Sequence, residues 1–355
     1  MFLGTFSRVK ILFVLGIICL LVQCLYYVNY YTLINTIQQY VPTTKLAPNT
    51  MVDNKNQTNE LENNNVTLIH LAPCPQILPA LKERVDLFVP ARENLEYVAL
   101  QLSQLRILEG GHQMPLECEA RYKIAILVPY RNRFKNLCWF LLNLHPFLTK
   151  QKLDYTIFII EQFSESSSKE DDGRFNRGKL LNIGYTEALK LSDFDCFFFH
   201  DVDLLPMNNG NIYSCPDQPR HLAVAVDKYN NKLPYGQYFG GVVGMSRTHF
   251  KLINGFSNIF WGWGGEDDDL YYRTTFHRLN ITRYPPKVAS YHSLSHPRQK
   301  VNPHRYKLLE TKFIRFKSDG LNSLNYEIKS IKKLPLYTHI LVDMVDRFKD
   351  ANYRK

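Results

Sequence analysis

The chain has no lysine–arginine block, no Cys-x-x-Cys pair and no histidine-rich spacing, and its 355 residues hold one long apolar run. Each absence removes a class of function. The formal charge is +10 at pH 7, but the basic residues are scattered, whereas nucleic-acid binders gather theirs into a patch or a known motif. No nucleic-acid partner is expected. The charge suits a phosphate-bearing small molecule or an anionic membrane surface equally well. Without cysteines or histidines at ligand spacing there is no basis for a zinc site. The 45% hydrophobic content supports a sizeable core, in one large domain or two small ones.

The apolar run is Ile11 to Val28, broken only by Gln23 and the small residues Gly16, Cys19 and Cys24. Its length is close to the roughly 20 residues of a spanning helix. Arg8 and Lys10 precede it and no acid does, which leaves residues 1–10 as a cytosolic tail. The competing reading is a cleaved signal peptide, whose apolar stretch is shorter and ends in small residues. Tyr26, Tyr27, Tyr30 and Tyr31 instead form an interfacial aromatic belt, so 11–28 reads as an uncleaved signal anchor with the rest of the chain lumenal. Residues 29–71, rich in Asn, Thr and Gln, bury too little to fold and read as a flexible stem; 72–355 form the lumenal domain. Asn56, Asn65 and Asn280 each open an Asn-x-Thr glycosylation triplet. Beyond the anchor lie Cys74, Cys118, Cys138, Cys196 and Cys215. Two disulfides and one buried thiol account for them, with Cys138 in the apolar run Leu137–Leu141 as the thiol.

From Lys123 the pattern is α/β. Ile124–Val128 is a buried-type strand stopped by Pro129, and Tyr155–Ile160, Cys196–His200 and Leu222–Val226 are three more. Asn136–Leu148 and Gly178–Leu191 have helical spacing. Alternating strands and helices predict a mainly parallel central sheet with helices on both faces, and ligands then bind beyond the carboxyl ends of its strands.

The chemistry-bearing residues fall there. Asp201-Val202-Asp203 follows the third strand; alternation in an extended chain puts both carboxylates on one side and Val202 towards the core. Such a pair can hold a hard divalent cation that grips a diphosphate; the alternatives are a solvated turn or an aspartyl phosphatase, which carries its pair after the first strand. Arg131 and Arg133, after Pro129, suit phosphate or a uracil ring, or are solvated loop arginines. Phe175-Asn176-Arg177 opens a helix at the same crevice, and Lys228 offers another cation. His292, His296 and His304 cluster with Arg298 and Lys300, and His296 with carboxylate oxygens suits manganese better than magnesium. Trp261 to Asp269 reads Trp-Gly-Trp-Gly-Gly-Glu-Asp-Asp-Asp. The acids complement a helix dipole, but four in a row exceed what a cap needs; rings, glycines and acids together suit a loop that closes over a sugar.

Phe175–Asn182, Asp201–Asp203, Tyr235–Gly241 and Trp261–Asp269 occur in the order of one family. From about Cys74 to Asp343 the chain resembles the β-1,4-galactosyltransferases of the Golgi, which share the anchor and stem. The resemblance implies a GT-A fold, a UDP-sugar donor and Mn2+. By motif, Asp203 and His296 fall on metal-binding positions, and Pro129, Arg131, Arg133, Phe175, Arg177, Asp201, Val202 and Lys228 on or beside nucleotide-contacting ones. Asp267 matches the catalytic base, Glu266 and Asp268 its neighbours at the sugars, and Trp263 the indole on a mobile loop hinged by Gly262, Gly264 and Gly265. Tyr235, Gly241, Arg305 and Tyr306 match acceptor-side positions. The resemblance also implies that Cys74 pairs with Cys118 and Cys196 with Cys215. Two positions depart from the pattern: Ser293 replaces a metal-binding methionine, leaving His292 or water to complete the site, and Tyr306 replaces a phenylalanine.

The implied reaction transfers galactose from UDP-galactose to O4 of an N-acetylglucosamine-terminated glycan, with inversion to a β-1,4 linkage on a lumenal, Golgi-membrane, single-pass enzyme. Tyr238 crowds the N-acetyl group of the larger donor, which favours galactose over N-acetylgalactosamine. The alternatives are an N-acetylgalactosaminyltransferase of the same fold and a non-catalytic, lectin-like Golgi protein.

Overall fold

The computed structural model describes residues 71–75, 84–164 and 174–344. The anchor, all of the stem but Leu71, Asn56, Asn65 and the two anchor cysteines lie outside the described residues. Among those described, no helix is long and apolar enough to cross a membrane.

After α1 (Leu95–Gln101), the short strand β1 (His112–Gln113) leads to β2 (Lys123–Tyr130), α2 (Phe134–Thr149), β3 (Asp154–Gln162), α3 (Arg177–Leu191) and β4 (Cys196–His200). Then come β5 (Leu204–Pro206), β6 (Arg220–His221), β7 (Ala225–Val226), β8 (Val242–Ser246), α4 (Arg247–Leu252) and α5 (Glu266–Phe276). The order closes with β9 (Thr282–Arg283), β10 (Ser290–Ser293), α6 (Arg305–Glu310), α7 (Lys312–Arg315), β11 (Glu327–Lys333) and β12 (Thr338–Asp343).

Period-2 alternation in the central strands builds two cores, one per face. Ile124, Ile126 and Val128 of β2 pack with Tyr155, Ile157 and Ile159 of β3 beneath α2. Ala125 and Leu127 face the other way, with Phe158, Ile160 and the α3 residues Leu180 and Ile183. Both faces are thus helix-covered, as expected. On the α3 side the approach is close: a Cβ on Gly184 would lie 2.7 Å from Ile160.

The sheet is mixed rather than mainly parallel. Its strand order is β11-β12-β3-β2-β4-β8-β6-β9, with β1 also paired to β3. Only the run β12-β3-β2-β4 and the pair β6–β9 are parallel. The Asp201 amide donates to the Gly241 carbonyl at 3.0 Å, so the chain enters β8 at the end where it leaves β4 and must run antiparallel to it.

Two local expectations are also corrected. β2 continues through Pro129 to Tyr130, because its pairing with β4 ends at Leu127 and only the β3 side is paired beyond; a missing N–H is tolerated at such a site. Leu222–Val226 is not one strand. The Leu222 amide bonds Val242 in the large sheet and the Ala225 amide bonds Ala289, so the segment crosses into a second sheet of order β5-β10-β7. Both expected disulfides are present, Cys74–Cys118 and Cys196–Cys215. Cys138 is free and buried in α2, its thiol pushed up to about 11 chiefly by burial. Asn280 is exposed just before β9.

Candidate active site

Phe197, Phe198 and Phe199 are fully buried, and each contributes roughly 2 kcal/mol by burial. That pull fixes β4 and delivers the two acids after it to the sheet edge. Asp201–Asp203 is a turn, not extended chain: the Leu204 amide bonds the Asp201 carbonyl at 3.3 Å. Strand alternation therefore does not align the carboxylates; the turn does. Val202 packs into the core as expected, and both carboxylates still line one cleft.

Across the cleft, the Asn176 side chain caps α3 by accepting from the Lys179 amide at 2.9 Å, which places Arg177 at the helix start. Arg177 Nε donates to Asp201 Oδ1 at 2.6 Å and Nη1 to Asp267 Oδ1 at 2.8 Å. Burial disfavours the guanidinium charge, but Asp201, Asp267 and Glu266 outweigh it and hold Arg177 firmly protonated. Arg177 thus joins the end of β4 to the acidic run.

The four acids occupy the first turn of α5, as the helix-start reading expects. Each carboxylate has its own surroundings. Glu266 is buried with Oε2 lacking a hydrogen-bond partner, Asp267 meets Arg177, and Asp268 accepts from the Tyr235 hydroxyl at 2.7 Å. Asp269 points inward to Arg273 and Arg315 and is structural. Burial raises the Asp267 carboxyl well above its ordinary range; Arg177 opposes this, while Glu266, Asp201 and Asp268 reinforce it. A Cβ at position 240 would overlap the Asp267 carboxylate, so Gly240 is what lets the acid sit there.

At the other end of the cleft, Asp203 Oδ2 lies 3.0 Å from His296 Nε2 and 3.8 Å from Lys228 Nζ. Burial pushes the Asp203 carboxyl up, but His296 and Lys228 more than offset it and hold it low. Arg133 Nη2 approaches His296 Nδ1 at 3.2 Å and donates to the Pro297 carbonyl at 2.8 Å. Arg131 stacks over Phe175 at 5.4 Å. The carboxylate oxygen and imidazole nitrogen form a mixed donor pair suited to manganese. His292 does not join them: its Nδ1 meets Asp227 Oδ2 at 2.5 Å, and Asp227 Oδ1 also takes the Ser293 amide. His304 stands apart before α6. Among the described residues no cluster of three or more His, Cys, Asp or Glu side chains has metal-holding geometry.

One cleft is therefore lined by Pro129, Arg131, Arg133, Phe175, Arg177, Asp201, Val202, Asp203, Lys228, Trp263 and His296, all expected from sequence, and by Gln299, which was not. Gln299 follows no recognisable motif; its contact with Arg131 at 3.4 Å is purely tertiary. Tyr238 is not among the residues lining that cleft; it lies edge-on to Tyr235 at 5.7 Å, with burial and the nearby Asp267 keeping its phenol protonated. Of the residues at expected acceptor positions, Arg305 stacks on Trp263 at 5.8 Å and on Tyr306 at 4.5 Å. Gly241 is buried behind the Asp201 turn. Gly262, Gly264 and Gly265 all have positive φ, and the Gly262 amide ties the Trp263 loop to Phe175 at 2.9 Å.

The model for the N-terminal region of glycosyl transferase group 7 matches residues 74–216, and one described as the N-terminal domain of galactosyltransferase matches 220–297. β-1,4-Galactosyltransferase 4 of Cricetulus griseus is 46% identical over 278 residues, 78% of either chain. The chain belongs to the β-1,4-galactosyltransferase family. Human β-1,4-galactosyltransferase 1 is 43% identical over 281 residues, 78% of this chain and 68% of that one. Among solved structures, a mutant Drosophila β-1,4-galactosyltransferase 7 in complex with manganese, UDP-Gal and xylobiose is 30% identical, with a TM-score of 0.52 over 63% of this chain and 94% of that one. The galactosyltransferase matches span the expected metal pair and the acidic run; Gln299, Arg305 and Tyr306 lie past the second model's end.

Proposed function

We propose that the chain is an inverting β-1,4-galactosyltransferase that moves galactose from UDP-galactose to O4 of a terminal N-acetylglucosamine on glycoprotein or glycolipid glycans. The observation that carries this reading is Arg177 bonded at once to Asp201 and Asp267, which sets a half-buried carboxylate beside a cleft lined with cations. The galactosyltransferase relatives and the solved manganese–UDP-Gal complex support the donor and the linkage.

Asp267 takes the acceptor hydroxyl proton as the oxygen attacks the anomeric carbon from the side opposite UDP, so an α-linked donor yields a β-linked product. Arg131, Arg133 and Lys228 bind the nucleotide and its phosphates. Glu266 Oε2 and Arg177 Nη2, buried and without hydrogen-bond partners in the protein, are available to sugar hydroxyls. Asp203 and His296 would hold Mn2+, which would supply charge stabilisation to the leaving diphosphate; Ser293 is a poor ligand. Trp263 and its glycines cover the donor and exclude water. Tyr238, close to Asp267, crowds a larger donor. The basic residues and apolar run at the N-terminus support a single-pass Golgi anchor with this domain lumenal.

The test is manganese-stimulated transfer to N-acetylglucosamine, with UDP-galactose and UDP-N-acetylgalactosamine compared side by side. Turnover with UDP-galactose is expected to dominate, and Asp267→Asn to lower kcat about 10²–10⁴-fold with UDP binding intact. No transfer to any acceptor with manganese present would sink the enzyme reading.

A further inference from the structure

His200, the last residue of β4, is fully buried and bonded at both ring nitrogens: Nδ1 to the Asp201 carbonyl and Nε2 to the Tyr213 hydroxyl, each at 2.9 Å. The Tyr213 hydroxyl meets that of Tyr291 at 2.7 Å, and both rings are buried. A carbonyl only accepts, so Nδ1 carries the proton. Burial pushes the imidazole down to about 4, so the ring is neutral and Nε2 presents a lone pair. Tyr213 must then donate to His200, and Tyr291 to Tyr213. One carbonyl dictates the direction of every proton in the chain.

The chain spans the two halves of the Asp203–His296 pair. Its first acceptor lies in the turn that presents Asp203. Its last donor, Tyr291, lies in β10, which pairs with β5 so that Ser293 faces Leu204, and which leads on to His296. Tyr213 itself is fixed by stacking on Phe198 at 4.8 Å, by Phe147 edge-on at 5.4 Å, and by the nearby Cys196–Cys215 disulfide.

We infer that Tyr213 is a positioning residue for the metal–diphosphate end of the cleft: through His200 and Tyr291 it sets the Asp203 turn against the strand leading to His296. The inference rests on reading Asp203 and His296 as the metal ligands.

The full-length protein is titrated with Mn2+ in the presence of UDP, with free manganese followed by electron paramagnetic resonance, and donor kinetics are measured in parallel. Tyr213→Phe should raise both the manganese Kd and the KM for UDP-galactose about tenfold, with kcat and the acceptor KM nearly unchanged. Tyr291→Phe leaves both His200 nitrogens bonded, so it decides the matter if Tyr213→Phe fails to fold; it should raise the same two quantities by less. The double variant should match Tyr213→Phe alone. If the folded variants keep wild-type Kd and KM and lose only thermal stability, the role is merely structural and the inference is overturned. Wild-type protein that takes up no manganese would overturn the metal reading itself, and the inference with it.

Discussion

In the nine-stranded sheet, β2, β3 and β4 are buried on both faces between α2 and α3, whereas β5, β7 and β10 of the three-stranded sheet are only two to four residues long and each has one end near the cleft. β5 begins directly after Asp203, β7 ends two residues before Lys228, and β10 ends three before His296. The large sheet supplies the platform through apolar bulk. The small sheet gathers the groups that must lie a few ångströms apart, using short ladders and a buried polar chain. Stability and site geometry are thus largely assigned to different parts of one molecule.

The hardest blow to the large sheet tests that division. Phe158→Ala should cost about 3–5 kcal/mol in denaturant unfolding, yet leave the donor KM of the protein that folds within about twofold. A large rise in donor KM would break the comparison. Gly240→Ala, just before β8, should do the reverse: it displaces the Asp267 carboxylate and should lower kcat about 10²-fold, with a smaller change in stability. Wild-type turnover in that variant would mean the carboxylate has room to move. The gentlest probe is pH. Asp267 acts as a base only when ionised, so activity is lost as pH falls through its raised pKa. Arg177 holds that pKa down, so Arg177→Gln should shift the acid limb of kcat to higher pH. An unmoved limb would assign it to another group.

What was legible in the sequence follows the same division. Cys196–His200 was read with its observed bounds, and α2 and α3 to within two residues, because their apolar periodicity is long and local. The small sheet was not legible. Strands this short carry no period, and Leu222–Val226 looks like one run because the crossing between sheets is also buried. β11 escaped notice because it is an exposed edge strand bearing Lys329, Lys332 and Lys333, a composition that guards an open edge rather than filling a core. At the site, the charged residues were readable because each sits in or beside a motif. The Tyr213–His200–Tyr291 chain was not, since three buried aromatic side chains resemble core until their hydroxyls and ring nitrogens are seen to meet. Asp269 shows the opposite error: identical in type to its neighbours, it turns inward to Arg273 and Arg315.

The pairing of Leu204 with Ser293 also has a consequence for synthesis. The ribosome delivers β2, β3 and β4 early, and with them the Asp203 turn. β10 and His296 emerge only after a long further stretch of chain. Until then the nascent protein holds β2, β3, β4 and β8 but neither β12, which pairs with β3 and buries Ile340 and Val342, nor the second half of a cation site. A chain released before β10 would lack both β12 and the second ligand.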